Sequence, residues 1–256
     1  MNRWGFVPFR TGIACALMLL GAVVASDAHG EISARSSVVV AIDAGHSLKH
    51  PGAVSARGKG EYGYNANMAN LLLQRLHANG YVSSFIINAN GEEMTLRERA
   101  DIANARNATM LISIHHDSVQ PRYLKIWTFG GAAHHYTDSY DGYSVFYSGL
   151  NQQHARSLLL ANKLGGTLRQ AGLSPALHHA ERIPGEGRAL VDADRGIYRV
   201  DDFGIVKAPR MPAVLLECGI IVNRDEENKL ADAGYQQAMI NAISAAIVSY
   251  AGESGR

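Results

Sequence analysis

Short apolar runs that alternate with amphipathic segments are the feature of this chain that most constrains its fold. Runs suited to buried strands cover residues 38–43, 81–88, 109–117 and 212–218. Between the first three runs, apolar residues recur three and four positions apart, which is the spacing of helices that pack on a core. Strands that alternate with helices form parallel sheets covered on both faces. The sequence therefore predicts a single α/β domain, with a mostly parallel, twisted sheet and helices on both faces.

Residues that favour helix termini mark the predicted helices, which cover residues 65–79, 95–107, 151–171, 225–230 and 235–250. Thr95 precedes Glu98 by three positions, which is the pattern of a capping box at a helix N-terminus. Gly80 and Gly172 follow two of the helices, where a C-terminus favours glycine. A further strand is predicted at 143–147, and residues 198–200 and 204–206 flank a turn near Asp202.

Residues 119–142 are predicted to be an insertion in the domain. The segment is rich in Tyr, Gly, His and Asp and has no helical period, so the pattern does not support an autoinhibitory helix. Two interpretations stay open for it, a loop whose aromatic side chains grip a sugar and an ordinary surface excursion. Residues 185–195 are predicted to form a polar loop, and His178 and His179 are expected to face solvent.

The N-terminal segment has the order of a secretory signal peptide. Arg3 and Arg10 precede an apolar stretch at 12–25, and small residues follow it. We predict a signal peptide over residues 1–28 and export to a periplasm or the cell exterior, with an uncleaved membrane anchor as the alternative. Cleavage would remove Cys15 and leave Cys218, which cannot form an internal disulfide and is expected to be a small core residue.

Charge excludes one class of partner. The chain has 24 Lys and Arg residues against 23 Asp and Glu residues, for a formal net charge of +1. A chain so nearly neutral lacks the basic field that nucleic-acid binding needs, so we expect no nucleic-acid partner.

Once the signal is removed, the chain is expected to be a monomer without a membrane anchor.

Polar side chains cluster where the predicted strands end. They are Asp43 and His46 after the first strand, His115, His116 and Asp117 at the third, Glu217 at the last, and Glu61 in a glycine-flanked loop. Ligands of open α/β sheets bind outside the carboxyl ends of the strands. Two imidazoles and a carboxylate are typical ligands of catalytic zinc, with a second carboxylate as proton acceptor. Spacing alone leaves a metal site and scattered polar residues equally open.

Four segments, in order, resemble the zinc-dependent N-acetylmuramoyl-L-alanine amidases of the family called amidase 3, which cut peptidoglycan. They are VAIDAGHS at 40–47, GKGEYGYN at 58–65, TLRERADIANARNATMLISIHHD at 95–117 and KAPRMPAVLLECGIIVNRDEE at 207–227. The resemblance runs over about 38–250 and implies a catalytic domain at 37–252.

The resemblance implies that His46, Glu61 and His115 bind one Zn²⁺ per chain and that Glu217 is the catalytic carboxylate. It further implies hydrolysis of the amide between N-acetylmuramic acid and L-alanine of the stem peptide, in peptidoglycan or muropeptides. A protein activator is left open. Two alternatives remain, a zinc peptidase that acts on another amide of the stem and a non-catalytic wall-binding regulator on the same fold.

Three residues near the implied ligands have less defined roles. His116 stands where the family more often has a small residue and Asp117 where it has Asn or Asp, so both are candidates for supporting hydrogen bonds or substrate contacts. Asp43 either orients His46 from behind or simply ends its strand. Arg99 and Asn104 are expected to brace a helix and a strand rather than to touch substrate.

Overall fold

The computed structural model describes residues 1–2, 35 and 37–254 of the chain. The predicted signal peptide therefore lies outside the described residues, apart from its first two. None of the helices in the described part of the chain is long and apolar enough to cross a bilayer.

A central seven-stranded sheet organises the domain. The strands of the described residues, in this sheet and outside it, are β1 (Val40–Ala44), β2 (Phe85–Ile87), β3 (Met110–Asp117), β4 (Lys125–Phe129), β5 (Ala132–Tyr136), β6 (Ser144–Tyr147), β7 (Ala189–Asp192), β8 (Ile197–Arg199) and β9 (Ala213–Ile220). All except β4 and β5 belong to this sheet, in the order β2-β1-β3-β9-β6-β8-β7. Neighbours are parallel from β2 to β9 and between β6 and β8, while β6 is antiparallel to β9 and β7 to β8. The predicted mostly parallel sheet is confirmed.

Helices cover both faces of this sheet, as predicted. They are α1 (Glu61–Ala78), α2 (Leu96–Ala105), α3 (His154–Gln170), α4 (Gly204–Lys207), α5 (Arg224–Ala231) and α6 (Ala233–Ser254). Side chains of a strand alternate between its two faces, so Ile42 packs in the core shared with α1, α3 and α6, and Ala41 in the core shared with α2 and α4. Cys218 is fully buried in the first of these cores, as expected.

Local interactions position the N-termini of α1 and α2. Thr95 and Glu98 form the predicted capping box, since the Thr95 side chain accepts from Glu98 N and the Glu98 side chain accepts from Thr95 N. Helix α1 begins at Glu61 rather than at 65, directly after extended Gly60, so Glu61 is a helical residue and not part of a loop. A carboxylate in the first helical turn is stabilised by the helix dipole, which is the physical reason for the earlier start.

Three other predicted elements differ from the structure. The strand predicted at 81–88 is confined to β2, because Ser84 N donates to Tyr81 O and closes a turn before it. The predicted polar loop at 185–195 contains β7, which extends the sheet by pairing with β8. The segment at 204–206 is part of α4 and not extended.

The insertion at 119–142 contains a β-hairpin. Strands β4 and β5 pair with each other and not with the central sheet, and within 119–142 the structure has no α-helix. Trp127 stacks on Phe129, and its Nε1 donates to Ala56 O at 2.7 Å. The hairpin is therefore attached to the loop that leads into α1, while Ile126 and Phe129 stay exposed.

Candidate active site

Three of the predicted residues meet beyond the carboxyl end of β1. His46 Nε2 lies 3.0 Å from Glu61 Oε2, and His115 Nδ1 lies 3.0 Å from Glu61 Oε1. The two imidazole rings stand edge to face with centroids 4.9 Å apart. One ligand atom from each of the three residues lies within 4.8 Å of the others. We call His46, Glu61 and His115 the first cluster.

The Glu61 carboxylate is held by donors from several elements. Its Oε1 accepts from Asn65 Nδ2 at 3.1 Å and from His116 N at 3.2 Å, and its Oε2 accepts from Ala53 N at 3.0 Å. Burial alone would raise the pKa of Glu61, but its hydrogen bonds with His115 and His46 outweigh burial and hold the pKa well below its usual range. Glu61 is therefore a fixed anion.

Two glycines leave room for the first cluster. A Cβ on Gly45 would lie 2.3 Å from His115 Nε2, and a Cβ on Gly52 would lie 2.4 Å from Glu61 Oε2. Gly52 also has a φ of +77°, a conformation that side chains other than glycine rarely adopt. Only glycine permits this close approach of the backbone to the ligand atoms.

His46 itself adopts a left-handed backbone, with φ at 69°. Its carbonyl oxygen accepts from Arg99 Nη2 at 2.5 Å and from Asn88 Nδ2 at 2.7 Å. A non-glycine residue in this conformation is uncommon and needs support from its surroundings. These two donors fix the carbonyl and thereby hold the imidazole over Glu61.

Asp43 reaches His46 only through Arg99. Asp43 Oδ1 accepts from Arg99 Nη1 at 2.7 Å, and Asp43 Oδ2 accepts from Ser113 Oγ at 2.6 Å. Asp43 and Arg99 are both buried, and Arg99 Nη1 also donates to Ala44 O. Asp43 is thus the counterion of the arginine that fixes the His46 backbone. Asn104 lies at the other end of α2, where its Oδ1 accepts from Arg210 N.

His116 lies beside the first cluster but outside it. The β3–β9 ladder shifts register between His115 and Asp117, so strict alternation of side chains is interrupted there. His116 is buried, and its Nδ1 lies 2.8 Å from Asn65 Oδ1. Burial lowers the pKa of His116 to about 4, which makes the ring neutral and a donor to Asn65. Its contact with Asn65 supports Glu61 indirectly.

Glu217 arrives on the neighbouring strand. It is the register partner of His115 across the parallel β3–β9 ladder. Its Oε2 is buried and has no hydrogen-bond partner among the residues that the structure describes. Burial raises the pKa of Glu217 well above its ordinary value, and the negative charges of Asp117 and Glu61 raise it further.

The expectation that His178 and His179 face solvent is wrong. They form a short 3-10 helix, where His178 is 3% exposed, and both approach Asp117 at the end of β3. His179 Nδ1 lies 3.0 Å from Glu186 Oε2, in a segment that sequence reasoning treated as a polar loop. We call Asp117, His178 and His179 the second cluster. The adjacent histidines were the visible signal, but the carboxylate that both approach, Asp117, lies 62 positions before His179.

A cleft of about 270 Å³ connects the second cluster with Glu217. Its lining includes Asp117, His179, Glu186 and Glu217, with Phe146 and Phe203 as apolar walls. A separate depression, lined by His46, His115, Asp43 and Arg99, opens at the first cluster. The carboxyl ends of β1, β3 and β9 therefore carry polar groups on both sides of Glu217.

Comparison with known proteins agrees with this geometry. Residues 40–249 match the family model described as N-acetylmuramoyl-L-alanine amidase. The chain belongs to this family. The predicted family is thereby confirmed. The match assigns the chain to the N-acetylmuramoyl-L-alanine amidases, which are peptidoglycan hydrolases.

Individual relatives are distant but cover most of the chain. AmiB of Haemophilus influenzae is 24% identical over 83% of this chain, which spans about half (52%) of that relative. A relative from Buchnera aphidicola subsp. Schizaphis graminum is 26% identical over 82% of this chain and 94% of its own length. The crystal structure of Ami1, an N-acetylmuramyl-L-alanine amidase from Mycobacterium smegmatis, is 20% identical, covers 85% of this chain and 98% of its own, and gives a TM-score of 0.67. This last likeness supports the fold.

Proposed function

We propose that this chain hydrolyses the amide between N-acetylmuramic acid and L-alanine of the peptidoglycan stem peptide, with zinc held by His46, Glu61 and His115. The observation that carries the proposal is the meeting of these three residues next to the Glu217 carboxyl on the adjacent strand, whose Oε2 is buried without a hydrogen-bond partner among the described residues. Family membership supplies the class of bond, and the geometry supplies the residues that would act on it.

The first cluster fits a zinc ion by its donors and by its shape. Two imidazole nitrogens and one carboxylate oxygen, mutually within 4.8 Å, form a ligand set that leaves a fourth position for water or substrate. Glu61 is already an anion, and Gly45 and Gly52 leave the space between the ligands clear. When bound, zinc polarises a carbonyl and lowers the pKa of a water molecule, which is the chemistry that amide hydrolysis needs.

Glu217 is the proposed general base and then the general acid. Its Oε2 would take the proton from the attacking water as the water oxygen bonds to the amide carbon. The same oxygen would give that proton to the alanine nitrogen as the C–N bond breaks. The second proton of the water leaves the new carboxylic acid and protonates the amine. The products are therefore a lactyl carboxylate on the sugar and an ammonium group on L-alanine, and atoms and charge balance. The raised pKa of Glu217 suits it to both transfers.

A single substitution tests this role. Glu217→Gln keeps the shape of the side chain but removes its ability to accept a proton, and should lower kcat by about 10²–10⁴-fold. Its zinc content, measured by mass spectrometry, should equal that of the wild-type protein. Glu92→Gln, at an exposed glutamate, is the matched control and should change neither quantity. Full activity of Glu217→Gln would show that the proposed base is wrong.

The digestion product distinguishes the proposed bond from its alternatives. Purified peptidoglycan should yield a new free amine on L-alanine, identified by labelling and mass spectrometry of the released peptides. A new amine on any later stem residue would instead establish a peptidase. Binding to peptidoglycan without any new amine would establish a wall-binding protein.

Export and partners are further parts of the proposal. Peptidoglycan lies outside the cytoplasmic membrane, so we propose cleavage of residues 1–28, a mature catalytic domain at 37–252 and one zinc in the first cluster of a monomer. N-terminal sequencing of the exported protein tests the cleavage. CwlD from Clostridioides difficile, with a TM-score of 0.56 and 20% identity, was solved in complex with the GerS lipoprotein. Whether the purified chain is active alone is therefore the test for a protein activator.

A further inference from the structure

The second cluster has the composition of a metal site. Asp117 Oδ2 lies 2.8 Å from His179 Nε2 and 3.3 Å from His178 Nε2. One ligand atom from each of these three residues lies within 4.8 Å of the others, the same measure that the first cluster satisfies. Neither histidine belongs to the four segments that carry the family resemblance, so this cluster calls for its own explanation.

His178 is the observation that points to a ligand. It is 97% buried, and among the residues that the structure describes neither of its ring nitrogens has a hydrogen-bond partner. Its Nε2 approaches Asp117 Oδ2 but lacks the geometry of a hydrogen bond. Buried polar groups in native proteins are almost always satisfied, and an unsatisfied one calls for a bound ion or water. The imidazole is aimed at the carboxylate without being bonded to it.

His179 is oriented as a metal ligand would be. Its Nδ1 faces Glu186 Oε2 at 3.0 Å, which leaves Nε2 directed at Asp117. Glu186 is fixed in turn by Gln120, whose Nε2 donates to Glu186 Oε1 at 2.9 Å. Histidine ligands of zinc commonly donate their other N–H to a carboxylate in this way, which fixes the tautomer and the ring.

The spacing of these atoms suits a small divalent ion. Ligands about 2.0–2.1 Å from a tetrahedral zinc lie about 3.3 Å from one another. The separation of His178 Nε2 from Asp117 Oδ2, 3.3 Å, matches that value, and the hydrogen-bonded His179 Nε2 lies closer to the same oxygen, at 2.8 Å. Two imidazoles and a carboxylate favour zinc over magnesium or calcium, which prefer oxygen ligands alone. The cleft beside the cluster is lined by three carboxyl groups, those of Asp117, Glu186 and Glu217, against one guanidinium, that of Arg188.

We propose that Asp117, His178 and His179 bind a second zinc ion, with Glu186 as the residue that positions His179. The ion would lie at the cleft that Glu217 also lines. The first cluster lies apart from this cleft, at His115, which is the strand neighbour of Glu217. This proposal depends on the second cluster alone and stands whether or not the chain cleaves the proposed amide.

The test counts zinc in variants of the full chain after saturation and removal of weakly held metal. The wild-type protein should hold two zinc ions, His115→Ala one, His178→Ala/His179→Ala one, and the variant with all three substitutions none. In the His115→Ala background, titration should give a Kd of about 1 µM or tighter for zinc. His154→Gln, at an exposed histidine at the start of α3, is the control and should keep two.

Folding is checked separately, because His178 is buried and His179 is partly buried. Zinc should raise the Tm of His115→Ala but not the Tm of the triple variant. Glu186→Gln in the His115→Ala background should weaken zinc binding by about 10–100-fold, as loss of an orienting carboxylate does elsewhere. A folded His115→Ala protein that binds no zinc at micromolar concentrations would overturn the proposal. That variant keeps the whole second cluster, so its result is decisive even where His178→Ala/His179→Ala fails to fold.

Discussion

The two histidine–carboxylate clusters contain the same side-chain groups, two imidazoles and one carboxylate, but these groups are held differently. In the first cluster Glu61 is surrounded by donors, and both of its histidines contact it at 3.0 Å. In the second cluster Asp117 bonds to His179, while His178 has no hydrogen bond to any described residue. Among the described residues, no buried side-chain atom of the first cluster lacks a hydrogen-bond partner, whereas the second cluster leaves a buried imidazole unsatisfied.

The clusters also differ in how the chain assembles them. The residues of the first cluster come from three separate elements, the turn after β1, the start of α1 and the end of β3. The second takes two neighbouring histidines from one short 3-10 helix and adds the last residue of β3. The cluster proposed for catalysis therefore combines residues from three elements, with its backbone fixed by further contacts. The second cluster is assembled mainly from one short helix.

The largest expected effect is on amidase activity, and it distinguishes the first cluster from the second. His115→Ala should abolish zinc binding in the first cluster and lower amidase activity by about 10⁴-fold or more, because carbonyl polarisation and water activation are lost together. His178→Ala should lower activity by no more than about 100-fold. Both are measured as kcat on purified peptidoglycan. An equal loss in the two variants would mean that the second cluster takes part directly in the chemistry.

The next effect concerns the scaffold behind His46. Asp43→Ala leaves the buried Arg99 guanidinium without its counterion and should lower the free energy of unfolding by about 3–5 kcal/mol, measured in urea. Asp101→Ala breaks the exposed Arg97–Asp101 pair on the same helix and should cost at most about 1 kcal/mol. Similar losses in the two variants would show that Arg99 is not the support of the first cluster.

The next prediction concerns the pH dependence of stability at Glu226, a buried carboxyl group away from both clusters. It tests whether hydrogen-bond donors determine the charge of a buried carboxylate. Glu226 is buried and accepts hydrogen bonds from the backbone of Ile220 and Gly142, without a histidine partner. Burial raises the pKa of Glu226 from 4.5 to about 7, even though these backbone hydrogen bonds lower it. Because the folded-state pKa is the higher one, its contribution to stability is complete below pH 4.5 and is lost as the pH rises through about 7.

The Glu226 prediction is measured as the difference in the free energy of unfolding between wild type and Glu226→Gln. Between pH 4.5 and pH 8, the wild-type protein should lose up to about 3 kcal/mol of stability relative to Glu226→Gln. A constant difference over this range would show that the backbone donors hold Glu226 ionised, as the histidines hold Glu61.

The smallest effect is the support that Asn65 gives to Glu61. Asn65→Leu removes the donor to Glu61 Oε1 and leaves His116 Nδ1 without its acceptor, so zinc affinity of the first cluster should fall by about 10–100-fold. Asn70→Leu, at an exposed position of the same helix, should leave the affinity unchanged. Zinc competition with a chelator measures both. An unchanged affinity in Asn65→Leu would limit the support of Glu61 to its remaining donors.

Much of the fold was predictable because it depends on local patterns. The apolar runs that became β1, β3 and β9 and the capping box at Thr95 each depend on residues close together in the sequence. The hairpin at β4 and β5 was not predicted, since its side chains are mostly exposed and carry no alternation of apolar and polar residues. The start of α1 at Glu61 was missed for a related reason, because Gly60 and Gly63 favour a loop by local preference alone.

The sequence by itself determined the family, the sheet with helices on both faces and the candidate ligands, because motif order and periodicity are written along the chain. Only the tertiary structure decided which of those residues meet. The contact of Asp43 with Arg99, the support that Arg99 gives to the left-handed His46 and the approach of His179 to Asp117 each join positions more than 50 residues apart. Spacing along the chain carries no record of such contacts, since they follow from strand order and from what burial requires of each polar atom.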